Sequence, residues 1–388
     1  MYAIRSEDTD GTADSGGRSS QDRRFAALRG CERLLSGTRP QSLRERIAAL
    51  TEEGANAYDL DGRPDMYGDG VVRTLEHRVA GLLGTEDAAF FPTGTMAQQV
   101  ALRIHAEAAG LRTVATHPLG HTELFERQAL TVLGGLRSVW PTTAPRIPTV
   151  AELRAFDEPY AALLLELPLR EAGFVLPQWA DLAAVAAVVR EEHGAALHLD
   201  GARIWESTFH LGRPLPEITG LADSVYVSFY KTLGGISGAA LAGPAPFVRA
   251  AKAWRHRYGG QLFQQWPAAL AALAGLDREL PRLEARVAHA RTVAAALAEA
   301  FAAVPAARVY PDPPHTHQFQ LWLPYPAARL EEAGLLLAER SGTALFGGWR
   351  EPRLPGLAMT EVTVAAEAME WTAKDIAEAV DAFLALLS

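Results

Sequence analysis

Three lysines stand among the 388 residues of this chain, in which arginine supplies most of the positive charge. Lys252 lies in an amphipathic helical pattern and Lys374 in the first turn of the last predicted helix, so both are expected at the surface. Lys231 differs, because it follows an apolar run at residues 225–227 and precedes two glycines, 234 and 235. A lysine at the carboxyl end of a buried strand, with glycines that let a ligand approach the backbone, suits an amine that forms an imine. An ordinary loop lysine is the alternative interpretation.

An aspartate occupies the end of another apolar run. Residues 195–199 (Ala-Ala-Leu-His-Leu) lead directly into Asp200 and Gly201. Asp-Gly is common in plain turns, where the aspartate only caps the backbone. The functional interpretation is that Asp200 pairs with a pyridine nitrogen, keeps it protonated and preserves the ring as an electron sink.

A turn before a helical pattern predicts a phosphate site. Phe91 is followed by Pro-Thr-Gly-Thr at residues 92–95, after which Met96 begins a helical period. Free backbone N–H groups and the positive dipole end of a helix attract phosphate, and Gly94 and Thr95 would lie there. Ordinary helix capping gives the same pattern. The turn is not a Walker loop, since no lysine follows, and the chain has no G-x-G-x-x-G dinucleotide motif.

Short apolar runs alternate with helical patterns along most of the chain. They lie at residues 88–91, 161–165, 195–199, 224–228 and 239–242. Because the runs lack polar alternation, they predict strands buried on both faces of a mostly parallel sheet. The predicted fold class is therefore α/β, a mostly parallel sheet flanked by helices, with ligands at the carboxyl ends of the strands.

Four segments are predicted from composition and pattern. Residues 1–24 form a polar, disordered leader and residues 25–54 an N-terminal segment, while residues 55–268 form the large cofactor-binding domain. Residues 269–388 form a smaller α+β domain, with a long Ala-rich helical stretch interrupted near Pro281. A chain of this length exceeds what one core usually organises.

Composition excludes several classes of function. The net charge of −9 argues against a nucleic-acid or anionic-membrane partner, which leaves a small molecule as the expected partner. Cys31 is the only cysteine, so neither an internal disulfide nor a Cys-rich zinc site can form, and no metal is expected. The N-terminus has no apolar signal-peptide core and no stretch is long enough to span a bilayer, so a cytoplasmic location is the default expectation.

Four motifs together resemble the threonine aldolase and β-eliminating lyase family, pyridoxal-phosphate enzymes of the aspartate-aminotransferase-like fold (fold type I). They share the family's order and spacing, and the resemblance is good over residues 34 to 275. The motifs are Met-Tyr-Gly-Asp at 66–69, Phe-Pro-Thr-Gly-Thr-Met-Ala at 91–97, His-Leu-Asp-Gly-Ala-Arg at 198–203, and Asp-Ser-Val-Tyr-Val-Ser-Phe-Tyr-Lys-Thr-Leu-Gly at 223–234.

The resemblance implies specific roles around pyridoxal 5'-phosphate. Lys231 would form the internal aldimine, Asp200 would pair with the pyridine nitrogen, and Gly94 and Thr95 would bind the phosphate. His121, five residues before Glu126, would stack on the cofactor and act with Lys231 and Asp200 in catalysis.

Arg203 carries a further role in the resemblance. It would line the cofactor pocket and grip the substrate carboxylate, which suits a guanidinium fork. An ion pair at a helix end is the alternative. The family also implies a homo-oligomer, either a dimer or a tetramer.

Two departures from the family bear on the reaction. Where threonine aldolases carry Asn-Thr-His after a strand-ending glutamate, this chain has Leu-Pro-Leu before Arg170, and Leu169 cannot move a proton. The family's C-terminal carboxylate-binding arginine is also missing from the run Ala-Met-Thr-Glu-Val-Thr at residues 358–363. As a hypothesis, Arg170 supplies the replacement positive charge for the substrate, with a solvent-facing salt bridge as the competing explanation.

The predicted function is therefore a lyase acting on an amino acid, with aldolase-type Cα–Cβ cleavage of a β-hydroxy amino acid as the leading reaction. β-Elimination, or other chemistry at the α-carbon of a modified amino acid, is the alternative, because the cofactor performs the difficult chemistry and the side chains select the bond. A non-enzymatic protein that keeps the fold is less consistent with retention of Lys231, Asp200, Arg203 and the phosphate turn.

Overall fold

A computed structural model describes residues 20–352 and 356–387. Residues 1–19 of the predicted leader lie outside the described residues. Residues 20–24, also assigned to the leader, instead begin the first helix. Among the described residues, no helix combines the length and apolar character needed to cross a bilayer.

The described chain contains short strands and longer helices. The strands are β1 (Arg33–Leu34), β2 (Asp87–Phe91), β3 (Thr113–Ala115), β4 (Arg137–Val139), β5 (Ala162–Glu166), β6 (Ala196–Gly201), β7 (Ser224–Ser228), β8 (Ala239–Gly243), β9 (Arg308–Tyr310), β10 (Gln318–Leu323), β11 (Thr343–Ala344) and β12 (Ala358–Thr363). The helices are α1 (Ser20–Gly30), α2 (Leu43–Ala57), α3 (Gly70–Leu83), α4 (Gly94–Ala109), α5 (His121–Leu124), α6 (Ala129–Val132), α7 (Val150–Arg154), α8 (Trp179–Glu191), α9 (Thr208–Leu211), α10 (Leu215–Thr219), α11 (Ala245–Arg257), α12 (Trp266–Glu279), α13 (Leu283–Ala300), α14 (Ala327–Ser341) and α15 (Ala373–Ala385).

The larger of two compact units covers residues 47–283 and is built on a seven-stranded sheet. Its strand order is β2-β8-β7-β6-β5-β3-β4, and β8 alone is antiparallel to its neighbours. The predicted mostly parallel sheet flanked by helices is confirmed. All five predicted strands are present within two residues of their predicted bounds.

Both faces of this sheet are apolar, which explains the unbroken apolar runs in the sequence. Along β2, Phe90 packs in the core that includes α3, α8 and α12, while Ala89 and Phe91 pack against α4 and α11 on the opposite face. Successive residues of a strand point to opposite faces, so a strand covered on both sides has no position for polar alternation.

The smaller unit consists of residues 20–46 and 284–387 within the described chain. It contains the antiparallel sheet β12-β10-β9 and the parallel pair β1 and β11. Its core is formed by apolar residues such as Phe319, Val362 and Phe383. Helices α14 and α15 also lie in this unit, which agrees with the α+β character predicted for the C-terminal part of the chain.

The two units divide differently from the predicted domains, whose boundaries fell after residues 54 and 268. Helix α12 belongs to the larger unit, because Leu270, Leu273 and Leu276 pack in the core that also contains α3. The residues before 47 belong to the smaller unit, where β1 pairs with β11. The interruption near Pro281 is present as a 3-10 turn, Leu280–Arg282, between α12 and α13.

Candidate active site

The carboxyl ends of β5, β6 and β7 gather the candidate site. These strands are parallel neighbours, and their register pairs Glu166 with Asp200 and Asp200 with Tyr226. Parallel strands end at the same edge of a sheet, so residues that are far apart in the sequence become adjacent there. Lys231 follows β7 by three residues at this edge.

The turn after Lys231 is closed within the chain. Gly234 donates its N–H to the Lys231 carbonyl at 3.2 Å, and Gly235 donates to the Phe229 carbonyl at 2.8 Å. A Cβ at Gly235 would lie 2.7 Å from that carbonyl oxygen, and Gly234 has a φ of +66°. The two glycines are therefore explained by this turn, whereas the sequence suggested close approach of a ligand.

Lys231 differs from the other two lysines in its surroundings. The pKa of its amine is lowered to about 8, mainly by burial and also by the nearby Arg203 charge, while Asp200 and Glu166 oppose the shift. The side-chain amine of Lys231 makes no hydrogen bond or ion pair among the described residues. Lys374 is a surface residue 3.7 Å from Glu378, as predicted. Lys252 is not simply solvated, because it pairs at 3.0 Å with the buried Glu76.

Asp200 lies buried on β6, close enough to Lys231 for the two charges to interact. Burial raises the pKa of its carboxyl, and the Lys231 charge opposes that rise. Its Oδ1 accepts a hydrogen bond from the Ala202 N–H at 3.0 Å. Asp200 can therefore both cap the turn and serve the site, because one carboxylate oxygen accepts from the backbone while the group remains near Lys231.

The start of α4 contains the predicted phosphate turn. Thr93 caps the helix by accepting a hydrogen bond from the Met96 N–H at 3.3 Å, so the capping interpretation is realised. Gly94 is required by packing, because a Cβ there would lie 2.2 Å from the Tyr226 hydroxyl. Thr95, half-buried, lies in the first turn, where backbone N–H groups have no partner within the helix.

His121 begins the short helix α5 and is held by its backbone. Its N–H donates to Glu166 Oε2 at 2.9 Å. The pKa of the imidazole is lowered to about 3, mainly by burial and also by the positive charges of Lys231, Arg170 and Arg203. His121 is therefore a neutral ring at physiological pH, with its centroid 5.4 Å from that of Phe125.

Arg203 is buried, with its guanidinium carbon 5.4 Å from the centre of the Phe174 ring. Nearby Glu206 is fully buried and accepts a hydrogen bond from Thr232 Oγ1 at 2.9 Å. Burial raises the pKa of Glu206 to about 7, an effect that the Arg203 charge opposes. The arginine therefore has an acidic neighbour near the helix end and also acts electrostatically on Lys231.

Arg170 is tied to the same edge through Glu166. Its N–H donates to Glu166 Oε1 at 3.3 Å, and its guanidinium lies 3.3 Å from Glu171 Oε1. A salt bridge is therefore present, but its side chains are only 22% and 11% exposed, so it is not the solvent-facing pair considered from the sequence. The Arg170 charge nevertheless lowers the pKa values of both His121 and Lys231. Leu169 is buried and adds no group that can exchange a proton.

Three site groups had no assigned role in the sequence. Glu126 is buried, its Oε2 accepts a hydrogen bond from Gln99 Nε2 at 2.9 Å, and burial raises its pKa to about 7. Glu166 joins the His121 and Arg170 segments, and burial raises its pKa to about 7. Ser228, fully buried at the end of β7, makes no hydrogen bond of standard geometry among the described residues. Only the strand-ending positions of Glu166 and Ser228 could have indicated them.

These groups fit pyridoxal phosphate. Pyridoxal phosphate carries a carbonyl group and a pyridine nitrogen at opposite sides of one ring. The carbonyl group requires an amine, which Lys231 supplies with its lowered pKa, and the nitrogen requires a carboxylate, which the nearby buried Asp200 supplies. The buried Ser228 hydroxyl and the first turn of α4 offer donors for an anion.

Comparison with known proteins agrees with this geometry. Residues 48–318 match the family model described as beta-eliminating lyase. The chain belongs to the beta-eliminating lyase family. Members depend on pyridoxal phosphate, and this protein is a pyridoxal-phosphate-dependent lyase of fold type I.

Several relatives of this chain are named threonine aldolases. The low specificity L-threonine aldolase of Escherichia coli K12 is 33% identical over 247 residues, which cover 62% of this chain and 73% of that protein. The low-specificity L-threonine aldolase 1 of Arabidopsis thaliana is 28% identical over 247 residues, covering 61% and 68%.

Two solved structures cover nearly the whole chain. One is assigned as an aromatic amino acid beta-eliminating lyase/threonine aldolase from an Exiguobacterium species, with 34% identity and a TM-score of 0.84 over 94% of this chain and 99% of that one. The other is assigned as an L-allo-threonine aldolase from Listeria monocytogenes, with 33% identity, a TM-score of 0.84 and the same coverage.

The raised pKa of Glu126 predicts a pH dependence of stability. A carboxyl whose pKa is about 7 in the folded protein and near 4.5 when unfolded stabilises the fold fully below pH 4.5. That stabilisation is lost as the pH rises through 7. Between pH 5 and 7 it falls by about 2 kcal/mol. Replacing Glu126 by Gln should remove this share of the pH dependence, measured by urea unfolding of the apoprotein at both pH values.

The exposed Glu217 provides a matched control. Glu217→Gln should leave the difference between the two pH values as it is in the parent protein. An unaltered difference in Glu126→Gln would contradict the assignment of a protonated carboxyl at residue 126.

Proposed function

We propose that this protein cleaves the Cα–Cβ bond of a β-hydroxy amino acid, with Lys231 as the residue that holds the cofactor. The observation that carries the proposal is the grouping of Lys231, whose pKa is lowered, with the buried Asp200 carboxylate and the buried Arg203 at the carboxyl edge of the sheet. Relatives named low-specificity L-threonine aldolase support the reaction class.

Each residue has a defined task in this proposal. Pyridoxal phosphate, when bound, supplies a conjugated ring that accepts the electron pair released at Cα. Asp200 would hold a proton on the pyridine nitrogen. Gly94 and Thr95 at the start of α4 would hold the phosphate, and neutral His121 would lie against the ring.

Lys231 and Arg203 act on the substrate side. A pKa of about 8 leaves part of Lys231 uncharged at neutral pH, so its amine can attack a carbonyl carbon or accept a proton. Arg203 would bind the substrate carboxylate through its guanidinium fork. The Arg203 charge also favours the uncharged form of Lys231. The same arginine would therefore bind the substrate carboxylate and help to keep the amine able to react.

Leu169 favours β-elimination as a second candidate. Aldol cleavage must remove a proton from the β-hydroxyl group, and the buried Leu169 side chain cannot accept one. β-Elimination instead needs a base at Cα, a task that the Lys231 amine can perform, and a leaving group at Cβ. The two reactions give different products from the same pocket.

Replacing Lys231 by Ala should abolish the yellow colour of the purified protein and all turnover. The parent protein should be screened with β-hydroxy and β-substituted amino acids. Aldehyde together with glycine indicates aldol cleavage, whereas a keto acid with ammonia indicates elimination. Lys374→Ala, the same change at an exposed lysine, should keep the colour and the activity. If no amino acid alters the cofactor spectrum of the parent protein, the enzyme proposal fails.

We propose further that Arg170 binds an anionic group of the substrate. Its charge reaches both Lys231 and His121, while its pairing with Glu171 keeps the guanidinium oriented. Arg170→Ala should raise KM about tenfold for the true substrate with little change in kcat, as expected when binding shared by ground and transition states is lost. Arg154→Ala removes a comparable pair with Glu192 at the surface and should not change KM. An unaltered KM in Arg170→Ala removes the idea.

An apolar surface supports the expectation of a homo-oligomer. Tyr67 and Phe263 are 55% and 52% exposed, and their rings pack edge to face with centroids 5.4 Å apart. Met66, Leu262 and Trp266 add exposed apolar area around them. A cluster of this kind on a soluble enzyme marks an interface. A cytoplasmic location, expected from the single cysteine, stays a prediction.

Phe263→Glu should shift the protein to a smaller assembly, because a desolvated carboxylate opposes association. Sedimentation velocity at several concentrations measures the change. Trp140→Glu, at another exposed aromatic residue, controls for the added charge. A parent protein that sediments as a monomer at all concentrations would refute the oligomer.

A further inference from the structure

Four buried polar side chains form a continuous chain that starts behind Asp200. Gln98 Oε1 lies 2.9 Å from His198 Nε2, and His198 Nδ1 lies 2.7 Å from Ser224 Oγ. Ser224 Oγ in turn lies 2.7 Å from His105 Nε2. None of these residues has a part in the proposed reaction, yet each is at most 9% exposed. Buried polar groups of this number require an explanation.

Strand periodicity places the chain beneath Asp200. His198 and Asp200 are two residues apart on β6, so their side chains lie on the same face of the sheet. Ser224 is paired in register with His198 on β7. Helix α4 covers this face and supplies both Gln98 and His105. Asp200 and the hydrogen-bonded side chains therefore lie in the same layer, between the sheet and helix α4.

The donors and acceptors of these four side chains form one consistent arrangement when the Gln98 amide oxygen faces His198. An amide oxygen can only accept, so His198 Nε2 must carry the proton that it donates to Gln98. Burial lowers the pKa of His198 to about 3, so the ring is neutral and its Nδ1 must accept from the Ser224 hydroxyl. The pKa of His105 is likewise lowered, to about 4, and this neutral ring donates its Nε2 proton to Ser224 Oγ.

The direction of these bonds leaves the Gln98 amide NH2 as the last donor. Its Nε2 makes no hydrogen bond of standard geometry among the described residues. This buried NH2 lies in the same layer as Asp200, and Gln98 lowers the pKa of that carboxyl, against the larger effect of burial. Every bond from His105 onward therefore donates toward the aspartate, and polarised bonds in one direction strengthen one another.

We propose that Gln98, His198, Ser224 and His105 are positioning residues, a one-directional hydrogen-bond chain that keeps Asp200 ionised and aimed at the pyridine nitrogen. This inference rests on the proposed role of Asp200 in holding that nitrogen protonated. Burial alone favours the neutral acid, which could not hold the proton on the ring, so a fixed donor behind the carboxylate counteracts the environment.

Variants at both ends of the chain test the inference. Gln98→Glu can still accept from His198 but has no NH2 to donate, and Gln98→Leu removes both functions. Ser224→Ala breaks the hydrogen-bond chain at a residue separated from Asp200 by Gln98 and His198. It therefore still tests the inference if the variants at residue 98 do not fold. Thr219→Val deletes another buried hydroxyl, one bonded to the Leu215 carbonyl at 2.9 Å, and serves as the matched control.

The readout is the protonation state of the cofactor, measured by ¹⁵N NMR of holoprotein reconstituted with pyridoxal phosphate labelled at the ring nitrogen. The parent and Thr219→Val should show a protonated pyridine. Gln98→Glu, Gln98→Leu and Ser224→Ala should shift the resonance toward the unprotonated form. The dissociation constant for pyridoxal phosphate should rise about tenfold in the Gln98 variants, the equivalent of one hydrogen bond to a charged group.

Rescue by a conservative change separates positioning from packing. Ser224→Thr keeps the hydroxyl and should retain the parent resonance, whereas a packing role would follow side-chain volume. A protonated ring nitrogen and unchanged cofactor affinity in all three chain variants would overturn the inference. If the parent protein itself binds no cofactor, or binds it with an unprotonated nitrogen, the role proposed for Asp200 fails first.

Discussion

The placement of ionised groups in a poorly solvated pocket governs this site. Asp200 and Arg203 are buried at the edge of the sheet, and Lys231 lies beside them half-buried. A buried charge without a partner is strongly destabilising, so each of these groups depends on the others and on fixed hydrogen-bond donors. The same desolvation shifts their pKa values in opposite directions, down for the amine and up for the carboxyl.

Parallel strand order turns this requirement into a compact arrangement. Glu166, Asp200 and Tyr226 lie side by side because β5, β6 and β7 are in register. Glu166 then connects the edge to two loops, since one oxygen accepts from His121 N–H and the other from Arg170 N–H. A single carboxylate thus positions a ring that would lie against the cofactor and a cation that would face the substrate.

The departures from the family pattern affect the reaction more than the cofactor. Lys231, Asp200 and the first turn of α4, which form the proposed cofactor site, lie outside these departures. At residue 169, however, a buried leucine replaces the family's histidine. Because the cofactor stabilises the electron pair whichever bond breaks, the side chains around Cβ decide between aldol cleavage and elimination.

The sequence by itself predicted the α/β class and the five apolar strands, because these depend on local runs of apolar residues. It also singled out Lys231 as the candidate cofactor lysine, because lysine is rare in this chain. It did not reveal the three-residue strands β3 and β4, which are too short for a periodic signal. Nor did it reveal why Gly94 is glycine, since the reason is contact with Tyr226, 132 positions later in the chain. Only the tertiary structure gathered Glu126, Glu166 and Ser228 around Lys231 and joined Gln98 to His198. Strand register and desolvation are long-range properties, and no local pattern of residues encodes them.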